Sequence, residues 1–378
     1  MLFSARVQVI TIALVSCSLI YWLFSSSTSS LSSSWSCIED GGGSITSRFR
    51  NSHPNNNRFR YYDMDKLNSS ATQNNKDNEP NQHVLILTPF KDSAHHIEKY
   101  FQNVNGLTYP HHLISLGFLV SDSSDNTIEK LNDMAHWYSN NQEPWQQFHR
   151  ISIFQKDFQF ELSNTEERHA FGVQVERRKI MAKSRNTLLS SALTEEIAWV
   201  LWLDGDVVEY PATLLEELIG MNKDVLAPNC WWHSYNEEGG YDRNNWQETP
   251  ESRAFQKTLQ PDDVLVEGKN SNWVYRCIKL ILTIIMYIYI GYPELVTHRK
   301  LMIDMRYPDG ITDVYHSIPL DAVGGTCTLV RAQVHREGAI FPTFPYQHEV
   351  ETEGFAKMAK ALGYEVWGLP NYLVYHII

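Results

Sequence analysis

The sequence predicts an α/β fold: a mostly parallel sheet flanked by helices, preceded by one N-terminal transmembrane helix and a disordered stem. Three observations predict it. From residue 83 onward, short apolar runs alternate with helix-periodic segments, the pattern of a parallel sheet with crossover helices. Polar residues stand where successive apolar runs stop, at Thr88, Asp122 and Asp204, and open α/β sheets bind ligands at those strand ends. Near the N-terminus an uncharged apolar run precedes a long Ser- and Asn-rich tract.

Composition bounds the rest. The chain has 378 residues, 43% hydrophobic and 12% aromatic, enough for a sizeable core. Its formal net charge is −12, which excludes a general nucleic-acid surface. An anionic ligand therefore needs a local solution, such as a metal with a few basic side chains. The five cysteines (Cys17, Cys37, Cys230, Cys277, Cys327) form no CxxC pair, so neither a zinc knuckle nor a disulfide scaffold is expected.

Residues 1–6 read as a cytosolic tail ending in Arg6. Val7–Phe24 carries no charge and lies at the lower edge of the about 17–25 residues that a spanning helix needs. Tyr21 and Trp22 suit a membrane interface. A cleaved signal peptide competes, but its apolar region is usually shorter. A signal-anchor over 7–24 leaves the remainder lumenal. Residues 25–82 read as a stem, because Ser25–Ser36, Gly41–Gly43 and Asn55–Asn57 cannot bury enough apolar area to offset chain entropy. Asn68-Ser69-Ser70 is an N-glycosylation acceptor tripeptide.

The globular part is expected over 83–378. HVLILTPF (83–90) is a buried strand closed by Thr88-Pro89. Residues 92–103 follow as a helix with Ile97, Tyr100, Phe101 and Val104 at helical spacing. A strand over 113–120, a helix over 127–138 and a strand over 151–154 continue the alternation. Residues 176–189 form a helix with five basic residues, Arg177, Arg178, Lys179, Lys183 and Arg185. Lys179, Lys183 and Asn186 share one face, which suits a diphosphate or simply solvent.

WVLWLDGDVV (199–208) organises the chain. A buried strand ends at two carboxylates, Asp204 and Asp206, separated by one glycine. Hard anionic oxygens there suit Mg²⁺ or Mn²⁺ bound together with substrate phosphates; an Asp-Gly turn in solvent would show the same triplet. A helix over 211–221 and a strand over 224–229 come next. Trp231, Trp232, Tyr235, Tyr241 and Trp246 interleave with Asp242, Arg243, Asn244 and Asn245, a mixture that suits a sugar ring or an aromatic core patch. Gly324-Gly325 permits a tight turn or a close backbone approach. Glu349, Glu351 and Glu353 then precede a helix over 355–362, and His376 stands near the C-terminus.

Nine blocks in this order, including LISLGFLVSD (113–122), RRKIMAKSRN (177–186), WVLWLDGDV (199–207), YDRNNWQE (241–248), DAVGGTCTLV (321–330), ETEGFAKMAK (351–360) and GLPNYLVYHI (368–377), resemble the fungal Golgi α-mannosyltransferases of the mannan polymerase complexes. The resemblance covers about residues 83–378 and implies a GT-A-like, Rossmann-related fold in a type II Golgi membrane protein. It implies GDP-mannose as donor, Mn²⁺ as cofactor, retaining α-1,6-mannosyl transfer onto N-linked mannan, and sister subunits as partners. Carried over by position, Asp204, Asp206 and His376 are the metal ligands. Thr88, Pro89, Asp122, Arg178 and Arg185, with Asp204, lie at GDP-mannose, and Glu351 and Glu353 lie near the donor sugar and the mannan acceptor as catalytic candidates. A non-catalytic structural subunit of such a complex is the alternative. The sequence departs from the family at 269–290, an apolar insertion between intact blocks that reads as a retained intron translated in frame or as a real buried segment.

Overall fold

Continuous apolar runs between polar turns build the elements, which the computed structural model describes over residues 82–140, 143–160, 171–233, 238–265, 297–307 and 313–377. The anchor over 7–24, the stem up to residue 81 and the 269–290 insertion lie outside the described residues. Among the described residues no helix is long and apolar enough to cross a membrane.

The order is β1 (His83–Phe90), α1 (Ile97–Asn105), β2 (Ile114–Val120), α2 (Thr127–Asn140), β3 (Arg150–Gln155), α3 (Phe171–Ala192), β4 (Ile197–Leu203) and β5 (Val207–Glu209). Then follow α4 (Leu214–Gly220), β6 (Val225–His233), β7 (Glu238–Gly240), β8 (Trp246–Gln247), α5 (Pro250–Gln256), β9 (Lys300–Leu301), β10 (Ile318–Pro319), β11 (Cys327–Arg331), α6 (Ala332–Arg336), α7 (Glu351–Ala361) and β12 (Val366–His376). Strands β2 and β4 are buried along their whole length, as expected of runs covered on both faces. Helix α1 buries Ile97, Tyr100, Phe101 and Val104, the stripe that its spacing predicts. Helix α4 starts at Leu214 because Pro211–Thr213 forms a turn, with the Leu214 amide on the Pro211 carbonyl at 3.1 Å.

The main sheet runs β10-β12-β6-β11-β4-β1-β2-β3, with β5 added on β12 and β7 on β6. Its β4-β1-β2-β3 half is parallel. The other half is mixed, which corrects the expectation of a mostly parallel sheet. Strand β11 is antiparallel to both β4 and β6. The chain reaches β11 from a loop at the carboxyl end of β4, where the Asp204 amide donates to the Thr326 carbonyl. With no crossover helix to carry it to the far end, it must run back antiparallel. Helices α1, α2 and α4 cover one face of the sheet, and α3, α6 and α7 cover the other.

Chain order places the site. From β1 the strands step outward through β2 to β3, and α3 then returns the chain to the other side of β1 as β4. The topological switch point is therefore between β1 and β4, where ligands enter open α/β sheets. Asp204 is the first residue beyond β4.

Under α6 the imidazole of His335 is buried. Its Nε2 accepts from Trp202 Nε1 at 3.1 Å and its Nδ1 donates to the Ala339 carbonyl at 2.8 Å. Burial pushes its pKa down to about 4, so the folded state holds it neutral. Above pH ~6.5 both folded and unfolded forms are neutral and the contribution is complete. As pH falls from there toward 4, only the unfolded chain takes the proton, and about 3 kcal/mol of stability is lost. Urea unfolding at pH 7 and pH 4.5 is expected to show that drop shrink by most of this amount in His335→Gln. An unchanged pH dependence in the variant would refute the assignment.

Candidate active site

Backbone register brings the first two site residues together. After β4 the chain turns through Asp204-Gly205-Asp206, with the Val207 amide on the Asp204 carbonyl at 3.2 Å. Strand β5 then pairs with the end of β12, setting Val207 opposite His376. The Ile377 amide donates to the Asp206 carbonyl at 3.0 Å. The imidazole Nε2 of His376 consequently lies 2.9 Å from Asp206 Oδ2. On the His376 ring lies Tyr241, nearly parallel, with centroids 3.6 Å apart. Gly205 cannot carry a side chain, because a Cβ there would enter the Phe90 ring.

Helix α3 supplies the centre. Arg185 is 1% exposed. Its Nη2 donates to Asp204 Oδ1 at 3.0 Å and its Nε to Glu351 Oε1 at 3.1 Å. Its guanidinium carbon lies 5.4 Å from the Trp202 ring and 5.7 Å from the Phe341 ring. Gly325 packs against this guanidinium and Gly324 against the Asp242 carboxylate, so tightly that a Cβ at either would clash. The close approach expected of the double glycine is thus made by two buried charged side chains.

A second layer starts two residues into α7. Glu353 is fully buried, paired with Arg178 and accepting from Trp246 Nε1 at 2.8 Å. Arg299 pairs with Glu349, lies 3.7 Å from Glu353 Oε1 and covers the Trp246 ring with its guanidinium carbon 3.7 Å from the centroid. Arg178 also donates to Asn244 Oδ1 at 2.9 Å. The Asn244 amide in turn donates to Asp242 Oδ1 at 3.0 Å, and Thr326 Oγ1 holds Asp242 Oδ2 at 2.7 Å.

The electrostatics follow from burial and pairing. Burial raises Asp204 to about 6, with Asp206 and Glu351 adding to the rise and Arg185 opposing it. Burial also works against ionised Asp206, but the His376 hydrogen bond and charge outweigh it and hold the pKa down. The same contact raises His376 against the effect of its own burial. Burial pushes Glu349 well up despite Arg299, and Asp242 upward despite its Thr326 and Asn244 bonds.

The expected site residues divide into three groups. Asp204, Asp206, His376, Arg185 and Glu351 form one contiguous constellation, and Arg178 and Glu353 lie behind it. Thr88 is buried within the fold, its hydroxyl donating to the Leu203 carbonyl at 2.8 Å and 2.7 Å from the Tyr100 hydroxyl. It ties β1 to β4 at the switch point, with half-buried Pro89 beside it. Asp122 stands one strand further out, its Oδ1 accepting from the Phe158 amide at 2.7 Å. On α3 the inward face belongs to Arg178 and Arg185, whereas Lys179 binds Glu176 near solvent and Lys183 is exposed. Asn186 leaves the basic face altogether and clamps the Phe341 backbone through both amide atoms. Among the described residues no group of three His, Cys, Asp or Glu side chains is arranged to hold a metal. Asp206 and His376 are paired, while Asp204 is turned to Arg185. Sequence reading missed Arg299, which no motif flags. It had named Asp242 and Trp246 only as part of a sugar-binding or core aromatic stretch.

Comparison with known proteins gives the family. The family model described as Anp1 matches residues 58–283 and 283–345, and the break between the two matches falls inside the 269–290 insertion. The mannan polymerase complex subunit MNN9 of Candida albicans is 41% identical over 329 residues, 85% of this chain and 80% of the relative. The mannan polymerase II complex anp1 subunit of Schizosaccharomyces pombe is 37% identical over 85% of this chain and 70% of its own. Among solved structures, a mannosyltransferase from Pyrobaculum calidifontis in complex with GDP-Man and Mn²⁺ aligns with 83% of this chain and 63% of its own, at 14% identity and a TM-score of 0.39.

Two substitutions test the packing around the site. Gly205→Ala is expected to cost about 1–3 kcal/mol by forcing Phe90 aside, and Phe90→Ala in the same chain should recover part of it. Additive losses in the double-mutant cycle, read by chemical denaturation, would rule out the contact. Glu353→Ala leaves Arg178 buried without its counter-ion and is expected to cost about 3–5 kcal/mol. A loss under 1 kcal/mol would show that the pair is not buried in solution.

Proposed function

The chain belongs to the Anp1 family, and on that premise we propose that it is a mannosyltransferase subunit that takes GDP-mannose as donor. Its product is an α-1,6-mannosyl extension of N-linked mannan with retained configuration. It works beside sister subunits, lumenally in the Golgi, from an anchor over residues 7–24. The observation that carries the reading is the pairing of Asp206 with His376 beside Asp204 at the switch point.

The donor set fits a divalent cation. Asp206 Oδ2 and His376 Nε2 lie 2.9 Å apart as a hydrogen-bonded pair, an oxygen and a nitrogen donor that could turn to one ion once the shared proton is lost. Asp206 and His376 would hold the ion, with Asp204 alongside. Bound there, Mn²⁺ or Mg²⁺ supplies a Lewis acid for the charge that grows on the leaving diphosphate. The chain's own groups do the remainder. Arg185 has one buried nitrogen, Nη1, without a partner among the described residues, a donor suited to a phosphate oxygen. Glu351 and Asp204 fix that guanidinium from two sides, and Glu353 and Arg178 organise the 241–246 loop. In transfer the anomeric carbon–oxygen bond to the diphosphate breaks, a bond to an acceptor hydroxyl oxygen forms, and the hydroxyl proton departs with the released GDP or to solvent.

A second reading, a non-catalytic structural subunit, is favoured by the turning of Asp204 toward Arg185 and the lack of a three-donor cluster among the described residues. Calorimetric titration of the full-length chain with GDP separates the two. The enzyme reading expects binding that requires Mn²⁺ and weakens at least tenfold in Asp206→Ala and in His376→Ala. Binding of equal strength with and without Mn²⁺, or none in folded protein, would favour the structural subunit. We further propose that residues 269–290 are a retained intron, in keeping with the interrupted family match. Transcript sequencing should find most messages without those codons, and their presence in most copies would defeat the idea.

A further inference from the structure

Trp202 and Trp246, near the candidate site, are each no more than 1% exposed, and Trp232, set opposite His376 between β6 and β12, is half-buried. Tyr241 differs, with 40% of its surface open to solvent although one face of its ring lies on His376. Its backbone is not loose. The Tyr241 amide donates to the Cys230 carbonyl at 3.0 Å, and the Asp242 amide to the same oxygen at 3.2 Å. The next side chain, Asp242, is clamped by Thr326 and by the Asn244 amide. The ring is therefore carried on hydrogen-bonded backbone and stays partly open to solvent, one ring thickness beyond the Asp206–His376 pair.

The two flanks of that pair are unlike. On the Arg185 flank, Arg185 and Glu351 are buried in an ion pair. The Tyr241 flank is open. A small donor can be enclosed, but the end of a growing polysaccharide has to enter from solvent. Sugar rings carry apolar C–H faces that pack on aromatic faces, while their hydroxyls seek polar groups, and the half-buried Asn244 stands three residues along the chain.

We propose that Tyr241 is the stacking wall of the acceptor-sugar subsite, set beside the donor position by its contact with His376. This inference rests on the mannosyltransferase reading. The test uses the full-length chain with α-1,6-mannobiose as probe, in the presence of Mn²⁺ and GDP, read by saturation-transfer NMR titration. GDP affinity is measured separately by calorimetry. Tyr241→Ala is expected to weaken mannobiose binding about tenfold, equivalent to about 1.4 kcal/mol, and to leave GDP affinity within twofold. Tyr241→Phe, which keeps the ring, should retain binding of both ligands. The subsite is overturned if Tyr241→Ala binds mannobiose as wild type does, or if it loses GDP in proportion, which would make Tyr241 a support for His376 alone. It is also overturned if wild type binds GDP but not mannobiose. Failure of wild type to bind GDP would instead defeat the enzyme reading itself, and the subsite with it.

Discussion

One buried guanidinium holds this site together. Arg185 is almost wholly removed from water, and an uncompensated buried cation costs several kcal/mol. Asp204 and Glu351 supply the compensation, at Nη2 and Nε respectively. One carboxylate ends a central strand and the other opens a helix on the far side of the sheet's loop cluster, so satisfying Arg185 fixes α3, β4 and α7 relative to one another. Glycine at 325 follows from the same demand, since the guanidinium occupies the space where its Cβ would be. So does the backbone of Glu351, which is left-handed at φ 55°. For a residue with a side chain that conformation costs roughly 1–2 kcal/mol, and the ion pair to Arg185 holds it.

The Asp206–His376 pair is built differently, by hydrogen-bonded backbone. The β5–β12 pairing and the Ile377 amide on Asp206 set His376 opposite the DGD turn before any side chain interacts. Strands β4, β6, β11 and β12 converge there because β11 runs against its neighbours, bringing the Gly324–Thr326 turn to the carboxyl end of β4. The departure from a fully parallel sheet therefore serves the site. A crossover into β11 would have carried that turn to the opposite end.

Much of the fold was legible in the sequence because it depends on local patterns. Strands buried on both faces read as unbroken apolar runs, and β1, β2 and β4 were placed within a residue or two. The Asp204–Asp206 pair was legible for the same reason: a run that stops abruptly at carboxylates marks a strand end. The direction of β11 was not, because a strand has the same composition whichever way it runs. Charge periodicity left the role of α3 open: it put Lys179 and Lys183 on one face, suited to a diphosphate or to solvent, and solvent holds it. A lysine ammonium is strongly hydrated whereas the planar, weakly hydrated guanidinium tolerates burial, so Arg178 and Arg185 turn inward. Arg299, Glu349 and Glu353 find one another across large sequence separations, and spacing carries no trace of such pairs.

The contrast between the two flanks of the Asp206–His376 pair bears on how one site could treat two substrates. Buried ion pairs are weak evidence of stability, since apolar packing of equal volume often does as well. What Arg185–Glu351 adds is orientation, because a guanidinium accepts its carboxylate in few geometries, while Arg178–Glu353 and Arg299–Glu349 hold the 244–246 loop. The Arg185 flank is buried and charged, suited to a ligand that arrives complete and must be held in one pose. The Tyr241 flank holds a ring on hydrogen-bonded backbone at the solvent boundary, which gives a stacking plane with little control of rotation about its normal. A surface of that kind can accept successive sugars of a lengthening chain, because each new end offers a similar face. In such a site the enclosed flank would set which donor reacts, while the open flank would set only how the acceptor approaches.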